Sequence, residues 1–266
     1  MKYILIDSGN QKKFERFGPV SVVRPCSQAL WKPTQENWPS ADAIFSREEG
    51  NNWQGNFPKE WVIEHDGLQF KIAPTEFGHL GIFPEHVFLW KWAAGLVKKN
   101  SSVLNLFAYS GGATLALARA GASVCHVDAS LGMIKWARKN AVLNGLEKCP
   151  IRWIMDDALK FLKREIRRGR RYDGILLDPP SFGRGPKGEV FKIERDIREL
   201  LECCKQLLSD RPLFFACSNH TNEITPMVLQ HLLEEILPGK IEAGELLLKS
   251  EEGCDIPTGT YARWKP

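Results

Sequence analysis

Long apolar runs are missing from this chain. No stretch of the 266 residues approaches 18 consecutive apolar positions, so no helix that could span a bilayer is expected. Before Asp7 the amino terminus offers only residues 3–6 as an apolar segment, too short for the core of a secretory signal, and a cytoplasmic protein with no membrane partner is expected. No CxxC occurs. The seven cysteines are an odd number, and the adjacent pair Cys203 and Cys204 cannot face one ion from a helix. Reduced thiols and no metal site follow as expectations. The turn after the first α/β strand lacks the three-glycine G-x-G-x-x-G dinucleotide fingerprint, keeping only Gly111 and Gly112, and internal repeats and low-complexity segments are absent. An excess of one charge is nearly absent too: 36 Lys and Arg against 32 Asp and Glu leave +4, which permits nucleic-acid binding without demanding it.

What is present changes character along the chain. Residues 1–92 hold six of the nine tryptophans and seven of the sixteen prolines. Prolines at that density break long helices, so short strands fit there, at 2–6 and 20–23, with a hairpin over 61–72 turning at Asp66 and Gly67. A β-rich, tryptophan-rich appendage over residues 1–80 is expected. Its tryptophans either stack on substrate bases or fill the core of a strand-poor unit. A helix is expected over 85–99, with Val87, Trp90, Ala94 and Val97 on one stripe.

From residue 102 strands and helices alternate. Strands are expected at 103–107, 123–128, 151–155, 174–177 and 213–217, and helices at 113–120, 130–144, 158–168, 190–208 and 224–236. The 190–208 helix carries Val190, Ile193, Ile197, Leu200, Cys204 and Leu208 on one stripe. The segments 240–248 and 259–264 have no helix between them and suit an antiparallel pair. The sum is an α/β domain over residues 81–266 with a seven-stranded, doubly wound, mostly parallel, Rossmann-like sheet. Ligands of such sheets bind at the carboxyl ends of the strands.

Four of those ends carry chemistry. The first strand runs from Asn105 into Gly111 and Gly112, and paired glycines let backbone approach a ligand. Asp128 closes the next strand, where a carboxylate can accept both hydroxyls of a ribose. Asp156 and Asp157 follow the third; one suits an amino group of a purine and one a helix cap. The fourth ends in Asp178-Pro179-Pro180-Ser181-Phe182, a stiff acceptor cluster beside a flat ring. Behind it, Arg184, Lys187 and Lys192 lie among three glycines, as a phosphate-binding loop or as solvated chain. The basic run 163–171 reads as a solvated helix end. Cys217, followed by Ser218, Asn219 and His220, is either a packed thiol or a nucleophile for a pyrimidine carbon.

The stretch from Asn105 to Thr114, together with Asp128, Asp157 and the Asp178-Pro179-Pro180-Ser181-Phe182 motif, resembles class I S-adenosylmethionine-dependent methyltransferases. The resemblance is nearest to a bacterial group related to the enzymes that methylate 23S ribosomal RNA at cytosine C5 or guanine N7, and covers about residues 70–266. It implies S-adenosyl-L-methionine as cofactor and RNA, most plausibly ribosomal, as partner. By that resemblance Phe83, Asn105, Phe107, Ala108, Tyr109, Gly111 and Gly112 serve the methionine end of the cofactor. Asp128 and Ala129 would serve the ribose, and Asp156 and Asp157 the adenine. Asp178 and Pro179 would face the acceptor, and Phe182, Arg184 and Lys187 the RNA. One departure is Asn105, where many such enzymes place an acid. Because no cation adjoins Cys217 in sequence, a nitrogen acceptor is favoured over a carbon that needs a thiolate. A small-molecule or protein methyltransferase is the alternative, and a nicotinamide-dependent oxidoreductase the third reading.

Overall fold

The protein is described by a computed structural model covering residues 2–48 and 50–266. The chain divides into two compact units, one of Met1–Glu85 with Leu247–Thr258 and one of His86–Leu246 with Gly259–Pro266.

In the first unit β1 (Tyr3–Gly9), β2 (Lys12–Phe17), β3 (Val20–Pro25), β4 (Ala43–Ser46) and β5 (Asn52–Gly55) form one sheet in that order. β6 (Trp61–His65) and β7 (Leu68–Ile72) pair as the expected hairpin. Its turn residues Asp66 and Gly67 are both left-handed, at φ 52° and 73°, as a tight I′ turn requires. β2, β4 and β5 are not foreshadowed by the sequence. β2 escapes because its inward face includes a charge. Glu15 is fully buried, bound by the Arg24 guanidinium through two 2.7 Å hydrogen bonds and by the Tyr3 hydroxyl at 3.0 Å. The indole N–H groups are spent internally: Trp31 donates to Ser8 O, Trp38 to Asp7 Oδ2, Trp53 to Thr75 O and Trp61 to Phe17 O. These tryptophans hold loops onto strands, which is the packing alternative. Leu247–Thr258 joins this unit because Glu251 N donates to Leu5 O and the Ser250 hydroxyl to Ile6 O, links that no local pattern announces.

The second unit begins at the end of a 3-10 turn, Pro84–His86. There follow α1 (Val87–Leu96), β8 (Ser102–Leu106), α2 (Gly112–Arg119), β9 (Ser123–Asp128), α3 (Leu131–Leu143), β10 (Ile151–Met155) and α4 (Ala158–Arg167). After these come β11 (Gly174–Leu177), β12 (Phe182–Arg184), β13 (Val190–Lys192), α5 (Ile193–Gln206), β14 (Phe214–Asn219), α6 (Pro226–Glu234), β15 (Ile241–Leu248) and β16 (Ile256–Trp264). The main sheet has the order β10-β9-β8-β11-β14-β16-β15. The first five strands are parallel, and β16 runs antiparallel to β14. Strand order reverses between β8 and β11, the place where such sheets open to a ligand. The central strands are covered by helices on both faces and are mostly apolar, and all residues of β11 and β14 are buried.

Two helices differ from expectation. α1 starts two residues later and buries Leu89, Trp90 and Ala93; of the expected stripe, Trp90 is buried, Val87 and Ala94 are half-buried within the helix, and Val97 lies past its end in extended conformation. The 190–208 helix begins at Ile193. Val190–Lys192 instead pairs antiparallel with Phe182–Arg184, and Val190 is exposed. The expected loop after Asp178 is therefore a short hairpin.

Candidate active site

β8 ends in a curled loop. Phe107, Tyr109 and Gly111 are all left-handed, at φ 53°, 49° and 93°. For the two non-glycine residues this conformation costs on the order of 1–3 kcal/mol each, and such strain collects where a loop is shaped for a ligand. Beneath it runs a buried polar chain. Asn105 Nδ2 donates to Thr114 Oγ1 at 2.9 Å, and Thr114 Oγ1 lies 2.9 Å from His126 Nδ1. The threonine hydroxyl has one hydrogen and two lone pairs, so it can accept from the amide and still meet His126 Nδ1 as donor or as acceptor. Burial pushes the His126 pKa down to about 3, so the ring is neutral. The Asn105 side chain is thus occupied with α2 and β9. The paired glycines serve packing: a Cβ on Gly111 would lie 3.0 Å from Ala137 Cβ, and one on Gly112 would lie 2.3 Å from the Trp90 ring.

Asp128 stands at the end of β9, beside the half-buried Ala129. Its Oδ2 accepts from Tyr109 N at 2.9 Å and its Oδ1 from Ser130 N at 2.8 Å. Each oxygen keeps a lone pair for a further donor. Burial raises its pKa, and the two backbone bonds oppose that shift. After β10, Asp156 pairs with Arg164 at 2.6 Å, and Asp157 caps α4 by accepting from Lys160 N at 2.9 Å. The expectation of one cap is met by Asp157. Phe83 lies in the first unit, its ring edge-on to His79 at 5.1 Å.

Asp178 and Pro179 follow β11 and are clamped by the end of β14. The Ser218 hydroxyl donates to Asp178 Oδ1 at 2.7 Å, and Asn219 Nδ2 donates to the Pro179 carbonyl at 3.0 Å. Asn219 Oδ1 in turn accepts from Thr221 N, and the Thr221 and Ser181 hydroxyls lie 2.7 Å apart. The Pro179 carbonyl is therefore not a wholly free acceptor; one lone pair remains. Asp178 Oδ2 lies 3.8 Å from Nε2 of both His86 and His220. The roles of Ser218 and Asn219 and the whole of His86 escape a sequence reading, because these groups arrive from elements far apart in the chain.

The β12–β13 hairpin presents Phe182, half exposed, with the Arg184 guanidinium 6.0 Å from its ring centre. Phe191 packs on Phe107 at 5.4 Å. Glu189 accepts from Lys187 N and pairs with Lys160 of α4, which holds its pKa down at about 2. The Lys187 side chain is exposed. In the basic run, Lys163 pairs with Glu199, Arg164 with Asp156 and Arg168 with Glu165, consistent with a solvated helix end.

Cys217 is not part of this surface. Strand alternation turns Ser218 toward Asp178 and Cys217 away from it, into a core that includes Leu177 and Cys204. Burial first, and the Asp178 charge second, raise its pKa.

A seven-stranded sheet with one antiparallel strand, an acid ending the second strand and an Asp-Pro-Pro ending the fourth define a methyltransferase domain, and the chain belongs to the S-adenosylmethionine-dependent methyltransferase family, whose model matches residues 28–246. Among solved structures, a SAM-dependent methyltransferase from Agrobacterium tumefaciens is 39% identical with a TM-score of 0.95, covering 99% of this chain and 90% of that one. Ribosomal RNA large subunit methyltransferase K of Neisseria meningitidis serogroup B is 31% identical over 184 residues, 68% of this chain and 50% of the relative. Ribosomal RNA large subunit methyltransferase K/L of Shewanella frigidimarina is 36% identical over 152 residues, 56% of this chain and 21% of that protein. The chain thus spans half the length of the first of these relatives and a fifth of the second.

The donor set fits the cofactor. Asp128 offers two oxygens, each with a lone pair in reserve, where a ribose offers two adjacent hydroxyls, and the strained Phe107–Gly111 backbone lies beside it.

Proposed function

We propose that the protein transfers a methyl group to a nitrogen of a ribosomal RNA base, in the cytoplasm. The observation that carries this reading is the rigid acceptor pair of Asp178 and Pro179, fixed by Ser218 and Asn219, with Cys217 turned into the core. S-adenosylmethionine, when bound, supplies a methyl group on a sulfonium, already activated for displacement. Asp128 holds the ribose and the Phe107–Gly111 loop the methionine end, with Asp156 or Asp157 near the adenine.

Asp178 and the Pro179 carbonyl accept hydrogen bonds from N–H groups of the base and aim the lone pair of the acceptor nitrogen along the line of displacement, and the proton that an amine nitrogen loses on methylation leaves to solvent by way of Asp178. Their clamps matter because a carboxylate free to rotate would lose that aim. Phe182 provides a flat face for the base, and Arg184 and Lys187 meet phosphates. A nitrogen has its own lone pair, so no covalent intermediate is required. A pyrimidine carbon needs a thiolate, which Cys217 does not offer. The ribosomal assignment is supported by the names of the Neisseria and Shewanella relatives and by the mildly basic composition. Mass spectrometry of ribosomal nucleosides from a strain lacking the protein tests it. One N-methylated nucleoside should be missing relative to wild type, and an unchanged profile would move the substrate to a small molecule or a protein.

A further inference from the structure

Three side chains from separate elements converge beside β11. His86 closes the 3-10 turn before α1, Asp178 follows β11 and His220 follows β14. The two Nε2 atoms are 3.0 Å apart and each lies 3.8 Å from Asp178 Oδ2. We propose that these residues form a binding site for a divalent transition ion of zinc-like preference, one that goes beyond the methyl-transfer reading and does not depend on it.

The spacing matches the chemistry. Ligand atoms about 2.0–2.1 Å from a tetrahedral zinc sit roughly 3.4 Å from one another, and the three observed edges bracket that value. The carboxylate is already oriented: Ser218 binds Oδ1, which leaves Oδ2 on the side of the imidazoles, the outer-shell support that metal-binding carboxylates have. His86 is buried and His220 exposed, so the cluster has one face toward the protein and one toward solvent. Three protein ligands with a solvent face leave the fourth position for water or a small ligand. Two imidazoles with one carboxylate favour zinc, cobalt or nickel over magnesium or calcium, which prefer oxygen.

The two Nε2 atoms lie within hydrogen-bond distance of each other, with one hydrogen between them. An ion needs a lone pair on both, so that hydrogen leaves as a proton to solvent when the ion enters. The bound ion takes Asp178 Oδ2, so metal and methyl acceptor compete for one oxygen.

The test uses the full chain and two readouts. Cobalt(II) titration should produce the visible bands of a four-coordinate ion at one equivalent, displaced by zinc. His220→Gln and Asp178→Asn, each checked for an unchanged melting temperature, should weaken binding by roughly a hundredfold, and Ser218→Ala by about tenfold. Zinc should also inhibit methyl transfer in the wild type, and the turnover that remains in His220→Gln should be insensitive to it. Equal cobalt affinity in wild type and both ligand variants would show binding elsewhere, at exposed Cys254 or His231 for example, and would overturn the site, as would no binding at all. The titration decides the question even if no RNA substrate is methylated.

Discussion

At Cys217, burial and the neighbouring Asp178 carboxylate both push the thiol pKa upward, which disfavours the thiolate that carbon methylation requires. Cys217→Ser should keep most of the methyl-transfer rate measured below its melting point, while losing about 1–3 kcal/mol of stability by burying a hydroxyl. Asp178→Ala should lower the same rate by about a hundredfold or more, because the acceptor loses its aim. At Asp128 each hydroxyl bond to a carboxylate is worth roughly 1.5–3 kcal/mol, so Asp128→Ala should weaken S-adenosylmethionine at least about tenfold by calorimetry. Burial raises the Asp128 pKa above 3.8. Acidification therefore neutralises Asp128, the proposed ribose acceptor, earlier than it would an exposed aspartate, and cofactor affinity should fall with pH through a midpoint above 3.8. An affinity flat down to that pH would show that the carboxylate does not hold the ribose. Asp128 and Asp178 are legible in the sequence because each ends a short apolar strand. Ser218, Asn219 and His86 are not, since only the sheet order brings them to Asp178. Gly112 was legible as a glycine that matters, and the structure adds a packing reason, the Trp90 ring against which a Cβ would clash.

Elements of the main sheet were readable for a physical reason: strands covered by helices are apolar runs, and the turns around them carry Gly, Asn and Asp. Where side chains inside a strand are charged, the pattern fails. β2 is the example, and its Glu15–Arg24 pair gives a direct check. Burial alone would raise the Glu15 pKa, but the charges of Arg24 and Lys13 outweigh it and lower it below 4.5. The lowered value means that this contribution to stability is present above pH 4.5 and lost as the pH falls through the folded pKa. Arg24→Ala should destabilise by about 3–5 kcal/mol at neutral pH in denaturant unfolding, since it strands a buried carboxylate. A loss under 1 kcal/mol would mean that Glu15 is protonated in the fold. The β12–β13 hairpin was also missed, because its two strands are three residues long and the turn between them holds Gly185 and Gly188. Arg184→Ala combined with Lys187→Ala should weaken RNA binding and reduce its salt slope by about two phosphate contacts, with cofactor affinity intact. Unchanged RNA affinity and slope would assign the hairpin no part in RNA binding.

On the scale of the whole chain, the composition excluded a bilayer-spanning helix, and among the described residues no helix is long and apolar enough to cross a membrane. The division at Glu85 lies near the change in tryptophan and proline density, whereas the return of Leu247–Thr258 to the first unit depends on backbone bonds to Leu5 and Ile6 that no composition reveals. The family match covers residues 28–246 and so draws on both units. The proposed reaction, methylation of a base nitrogen with Asp178 as the orienting acid, is open to one direct measurement. Purified protein should be incubated with S-adenosylmethionine labelled in the methyl group and ribosomal RNA from cells lacking the protein, and the digested nucleosides identified by mass spectrometry. Label is expected in a single N-methylated nucleoside, lost in Asp178→Ala and kept in Cys217→Ser. Label in 5-methylcytidine that disappears in Cys217→Ser would contradict it.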